Sequence, residues 1–237
     1  NSAFPTVIVT FVFSAYFVRS VAVDTTTGTA QWGYALAISG LLVAALGPVL
    51  GAIADQRGRH KPWLGTLTAL CVAATALLWF VRPQPNWVVW ALVIFVVANT
   101  AFEMGTVFYN AMLPDIAPAA IIGRVSGWAW GLGYAGGLVC LVFILVAFDT
   151  SDLDQVRLTS VLVAVWFGVF SLPLILWTPD TPARPISWRG AIIDGFGQLI
   201  ATLRQVRHHR DIARFLLARL FYNDGLVTLF AVGGIYA

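Results

Sequence analysis

Residues 47–61 read Gly-Pro-Val-Leu-Gly-Ala-Ile-Ala-Asp-Gln-Arg-Gly-Arg-His-Lys. A long apolar run ends in glycine-spaced turns, and Asp55, Gly58 and Arg59 follow in a tight, basic loop. This is the pattern of a membrane helix stopping at a positively charged surface, since lysine and arginine collect in short cytoplasmic loops. Working outward, apolar runs of bilayer length, about 20 residues, fall near 3–23, 32–54, 63–81, 87–112, 125–148 and 156–177. A seventh opens near 213. The sequence therefore predicts an all-α integral membrane protein.

Composition supports that reading and excludes others. Hydrophobic residues make up 59% of the chain and charged residues 11%, against about 25% charged in a soluble domain. Apolar surface on this scale has to face lipid. The formal charge of +3 is too small and scattered for a nucleic-acid partner. Cys71 and Cys140 lie inside apolar runs and read as small core residues. No metal-ligand spacing and no nucleophile–base arrangement occurs, so neither an enzyme nor a bound cofactor or metal is expected. The chain opens on Asn1 with no basic n-region or cleavage site and stops inside an apolar run at Ala237. The expectation is a fragment of a longer protein without a secretory signal.

Basic residues set the orientation. With the N-terminus in the cytoplasm, the inner loops hold ten: Arg57, Arg59, Lys61, Arg124, Arg184, Arg189, Arg204, Arg207, Arg210 and Arg214. The outer loops hold three, Arg19, Arg82 and Arg157, and Arg219 lies in the seventh run. That bias places the N-terminus inside. Trp32, Trp63, Trp87 and Trp177 stand at run borders, where interfacial anchors belong. The organisation expected is a six-span bundle over 1–177, a cytoplasmic linker over 178–212, and a seventh helix over 213–237 that opens a second bundle. Within the linker, Ser187 can cap an amphipathic helix whose apolar residues Ile192, Phe196, Leu199, Ile200 and Leu203 recur at helical spacing.

The few polar residues inside the runs carry the chemistry. Asn99, Glu103, Thr106 and Asn110 are spaced 4, 3 and 4, which puts them on one stripe of a helix. An acid near the middle of a span costs about 2.5–3.5 kcal/mol if it meets lipid. Glu103 therefore reads either as a proton or cation site on a wet path, or as an anchor bonded to another helix or to Arg124. Thr6, Thr10 and Ser14 mark a similar face of the first run, and Asn223 and Asp224 add polar groups to the seventh. Gly123, Gly127 and Gly131 form a ridge of small residues, with Gly133, Gly136 and Gly137 beyond it, suited to close helix contact. A short repeat, Asn1 to Thr6 against Asn223 to Thr228, is consistent with two related halves.

Gly51, Asp55, Gly58 and Arg59 resemble the loop between helices two and three of the major facilitator superfamily, whose pattern is G-x-x-x-D-x-x-G-R-K/R. His60 replaces the second basic residue, and Lys61 supplies that charge one place later. Three longer stretches are similar to the vacuole-effluxer-like branch of that superfamily: Asn1 to Phe11, Phe108 to Asp115, and Gly123 to Gly137. The resemblance implies the N-terminal bundle of a facilitator fold, with a missing C-terminal half of the same polypeptide as partner. It implies that spans one, four and seven line a central cavity, and that Gly51, Asp55, Gly58, Arg59 and Lys61 form a gating loop. It further implies secondary active transport of a small polar solute, with amino-acid export as the branch activity; proton coupling is expected from the intramembrane acids Glu103 and Asp224 themselves. A bacterial inner membrane is the expected location. A membrane scaffold or sensor of the same fold remains the alternative.

Overall fold

The computed structural model describes residues 2–180, 197, 200, 201, 204 and 210–236, with backbone alone for Arg57 and 230–236. Among the described residues six helices are long and apolar enough to cross a membrane: Phe4–Val21, Thr25–Gln56, Lys61–Phe80, Pro85–Ile116, Ile122–Ala147 and Leu153–Trp177. A further helix runs over Arg210–Tyr236 and lies against the first span. No strand occurs among the described residues. The protein is an all-α membrane bundle. Most of the 178–212 linker and most of the expected amphipathic helix lie outside the described residues, as does Asn1 of the short repeat.

The first span is the hub. Of its residues 67% are buried, against 39% or less of the apolar stretch in any other span. It touches the second, fifth and sixth spans as well as the last helix. Its backbone is also unusual. Phe4–Phe11 and Phe17–Val21 are π-helical, separated by an α-helical turn at Phe13–Tyr16. The wider turn shows in Val12 N–H donating to Val7 O at 2.8 Å and Ala22 N–H to Phe17 O at 2.9 Å. Residues spaced by four therefore do not align here as they would on a regular α-helix.

The second span begins earlier than its hydropathy implied. Asp24 caps it, accepting from Thr27 N–H at 2.9 Å and from the Thr27 hydroxyl at 2.6 Å. Trp32 consequently stands two turns inside the helix rather than at its border. It is 1% exposed, and its ring packs on Phe95, Phe17 and Phe13 at centroid distances of 4.0, 5.4 and 6.3 Å. Trp32 is a core residue, not an interfacial anchor. Cys71 and Cys140 are free and buried, as small core residues should be.

The run of small residues packs at its far end and not at its start. A Cβ at Gly123, Gly127 or Gly131 would meet nothing within 4 Å, and Gly127 and Gly131 border an open groove with Arg124, Trp128 and Leu132. The close contact is made further along. Gly137 sits against the start of the first span, where an added Cβ would fall 2.7 Å from Thr6 Oγ1 and 2.9 Å from Ser2 O. Ser2 N–H also donates to Gly133 O at 3.1 Å.

Candidate functional site

The fourth span is an unbroken α-helix over Val88–Ala111. Asn99, Glu103, Thr106 and Asn110 therefore do share one face. Asn99 is buried at 7% exposure, Thr106 is half-buried, and Glu103 and Asn110 are exposed. The Thr106 hydroxyl returns to Phe102 O at 3.2 Å. Glu103 has no hydrogen-bond or ion-pair partner among the described residues, Arg124 included. At about 1.5 Å per residue, Glu103 lies roughly 24 Å along the helix from Trp87, well inside a hydrocarbon layer about 30 Å thick. The stripe thus offers an open carboxylate between a buried amide and an exposed one.

The first span's hydroxyls behave otherwise. Thr10 Oγ1 donates to Pro5 O at 3.0 Å, a five-residue step that the π-helical turn makes possible, and Ser14 Oγ donates to Thr10 O at 2.8 Å. Both residues are buried. Thr6 is half-buried beside Gly137. Asn223 and Asp224 lie on the last helix and are exposed. No hydrogen bond or ion pair among the described residues joins either of them to the fourth span.

The loop is built residue by residue from its motif. Gly58 ends the second helix in the left-handed region at φ 71°, its N–H donating to Ala54 O at 2.8 Å. That backbone favours glycine because a Cβ would crowd the following carbonyl. Asp55 is exposed and pairs with His60, Nε2 to Oδ1 at 3.0 Å. Around Gly51 a Cβ would meet nothing within 4 Å. His60 is 7% exposed and packs near Phe108, whose ring stacks on Trp63 at 5.8 Å. Its Nδ1 is buried without a partner.

Sequence reasoning missed Asp180. Its Oδ1 accepts from His60 N–H at 3.1 Å and Lys61 N–H at 3.3 Å, and its Oδ2 lies 4.0 Å from Arg59 Nε. Lys61 Nζ reaches Thr178 O at 2.6 Å. Lys61 and, at longer range, Arg59 are thus answered by residues just past the sixth span, while Asp55 pairs with His60. The visible signal was an acid three residues beyond Trp177, where that span stops.

Six apolar spans among the described residues and a glycine-capped basic loop define a polytopic α-helical membrane protein, with one unpartnered carboxylate in its fourth span. The family model described as "Vacuole effluxer Atg22 like" matches residues 18–237, and the chain belongs to that family. It is 31% identical over 250 residues to the "Uncharacterized MFS-type transporter YxiO" of Bacillus subtilis, covering 100% of this chain and 57% of that protein. It is also 31% identical over 126 residues to Autophagy-related protein 22-1 of Aspergillus fumigatus, covering 48% of this chain and 21% of that protein. A similar match, 25% over 141 residues, links it to Autophagy-related protein 22 of Yarrowia lipolytica, covering 50% and 24% respectively. The chain therefore spans little more than half of the Bacillus relative and less than a quarter of the fungal ones. No solved structure matches it.

Proposed function

We propose that this chain forms part of a secondary active transporter that moves a small polar solute by alternating access. Residues 1–177 would make the first bundle, 178–212 a cytoplasmic linker, and 213–237 the opening of a second bundle. The N-terminus is assigned to the cytoplasm on the ten-to-three distribution of basic residues, and the membrane is taken to be a bacterial inner membrane. Amino acids are the first solute class to test, on the resemblance to the vacuole-effluxer branch.

The observation that carries this reading is Glu103. It is exposed and unpartnered among the described residues, in the inner third of the bilayer core, where lipid contact is unfavourable though less so than the about 2.5–3.5 kcal/mol of a helix centre. Its free face must then meet protein or water, and its neighbours on the stripe are amides and a hydroxyl. A carboxylate in such a place suits proton coupling, with Asp224 as a second candidate. The test is uptake of labelled amino acids, leucine first, into liposomes carrying the full-length protein, with and without a pH gradient. Glu103→Gln should abolish gradient-driven accumulation while the protein stays folded. Undiminished accumulation in that variant would remove Glu103 from the mechanism.

One observation favours a scaffold or sensor instead. The buried hydroxyls Thr10 and Ser14 are bonded to their own helix, so they offer a solute less than their positions promised. Failure of the intact protein to move any amino acid under either condition would support that second reading.

A further inference from the structure

The third and sixth spans run antiparallel and side by side, and their ends serve one another. Each helix end leaves backbone groups without partners, donors at the N-terminus and acceptors at the C-terminus. At the basic end of the bundle the third span starts at Lys61, whose own sequence supplies no side-chain cap. Pro62 has no N–H to leave open. The two donors that precede it, on His60 and Lys61, both point at the Asp180 carboxylate. In return Lys61 sends its ammonium group to Thr178 O, the carbonyl that follows the last turn of the sixth span. An anion sits at a helix N-terminus and a cation at a C-terminus, the signs the helix dipoles favour. The opposite end repeats half of this arrangement. Arg157, in the first turns of the sixth span, donates from Nε to Trp79 O at the close of the third, at 3.0 Å.

From this geometry we infer that Asp180 and Lys61 form a reciprocal end-clasp, and that Asp180 is the positioning residue of the gating loop. The Arg59 contact adds little, since at 4.0 Å its side chain is 60% exposed. Beside the Asp55–His60 pair within the loop, the tie between the loop and the sixth span is the cap on the third span together with the Lys61–Thr178 bond. The chain that follows the sixth span is therefore attached mechanically to the loop, and displacement of Asp180 frees the loop's first two donors. The gating consequence rests on the transport reading above, whereas the clasp itself does not.

The test uses the full-length protein in liposomes with Cys71 and Cys140 replaced by alanine. Asp180→Ala removes both charge and acceptor. Asp180→Asn keeps an acceptor and should cap almost as well, because asparagine and aspartate are near equals in that role. Hydrogen exchange over residues 58–64 reads the clasp, and alkylation of Thr106→Cys by a membrane-impermeant maleimide reads access from each face. Asp180→Ala should speed exchange in the loop by about fivefold, the factor expected from losing an ordinary cap. It should also raise alkylation from the face that carries the loop, while Asp180→Asn stays close to wild type in both. Unchanged exchange in Asp180→Ala overturns the clasp. Faster exchange, with unchanged alkylation of a reactive thiol in the Thr106→Cys background, overturns the gating role and leaves the transport reading standing. An introduced thiol that is silent from both faces in every background sinks the cavity reading together with the gating role, and exchange alone then decides the clasp.

Discussion

Two buried glycines should respond to the same substitution with opposite sign. At Gly137 an alanine Cβ would lie 2.7 Å from Thr6 Oγ1, 2.9 Å from Ser2 O and 3.0 Å from Ser2 C. The hydroxyl could rotate away, but the Ser2 carbonyl is backbone and is tied through its own N–H to Gly133 O. At Gly105 the nearest atoms would be Leu64 Cδ1 at 3.8 Å and Leu67 Cβ at 4.0 Å, which is ordinary contact. Alanine gains about 0.8–1 kcal/mol over glycine in a helix interior at either position. Overpacking at Gly137 sets about 1–3 kcal/mol against that gain. Since the propensity gain is common to both, the difference between Gly137→Ala and Gly105→Ala is the overpacking cost, about 1–3 kcal/mol. Gly105→Ala should match or exceed wild type, and Gly137→Ala should fall below it. Unfolding by a denaturing detergent in mixed micelles, followed by far-ultraviolet circular dichroism, measures both. Equal shifts in the two variants would refute the claim that the fifth span approaches the first at Gly137.

Other consequences follow from single residues. Gly58→Ala forces a side chain into the left-handed region, which costs roughly 1–2 kcal/mol, less about 0.4–1 kcal/mol recovered from the stiffer unfolded chain. The same unfolding assay should show a net loss near 1 kcal/mol, with Gly58→Asn milder. Wild-type stability in Gly58→Ala would contradict the loop geometry. The Thr27 hydroxyl and backbone hydrogen bonds hold the Asp24 carboxyl below its ordinary value of 3.8. The stabilisation from that depressed pKa is present above the unfolded-state value and is lost as pH falls through the folded one. In Thr27→Ala the Asp24 titration, followed by carboxyl carbon NMR, should move up toward 3.8, and a stationary midpoint would count against the cap.

Much of the architecture was written in hydropathy. All six spans fell within a few residues of their expected positions, except where capping chemistry overrode the apolar edge. Asp24-Thr-Thr-Thr27 is an N-cap followed by its own donor, and it moved the start of the second span ahead of Trp32. At the edge of a hydropathy window an aromatic has the pattern of an interfacial anchor. The helix in fact continues past it, and the ring is enclosed by Phe13, Phe17 and Phe95. Similarly, glycine spacing marks a run of small residues from Gly123 to Gly137, but spacing along one helix does not tell which of them a neighbour reaches, and the contact is at Gly137. The π-helical turns of the first span have no spacing signature, because i and i+4 hydroxyls look alike whether the turn holds about 3.6 residues or more.

The polar residues inside the spans fall into two chemical groups, and the division decides how far the site was legible. A serine or threonine hydroxyl can return to a carbonyl of its own helix, and Thr10, Ser14, Ser39, Thr106 and Ser171 all do so. Where they do, their alignment carries little information about a cavity; Thr100 and Ser160, whose buried hydroxyls have no partner, are exceptions among the described residues. A carboxylate is an acceptor only, and the neighbouring N–H groups of its helix are already committed. Glu103 cannot solve its problem locally, and among the described residues nothing solves it from another helix. The Asp180 carboxylate meets the same constraint at a helix end, where free donors exist, and it is found on them. The two acids thus behave as one rule requires. Where backbone donors are open a carboxylate takes them, and where they are not it stays available for a proton, a solute or water.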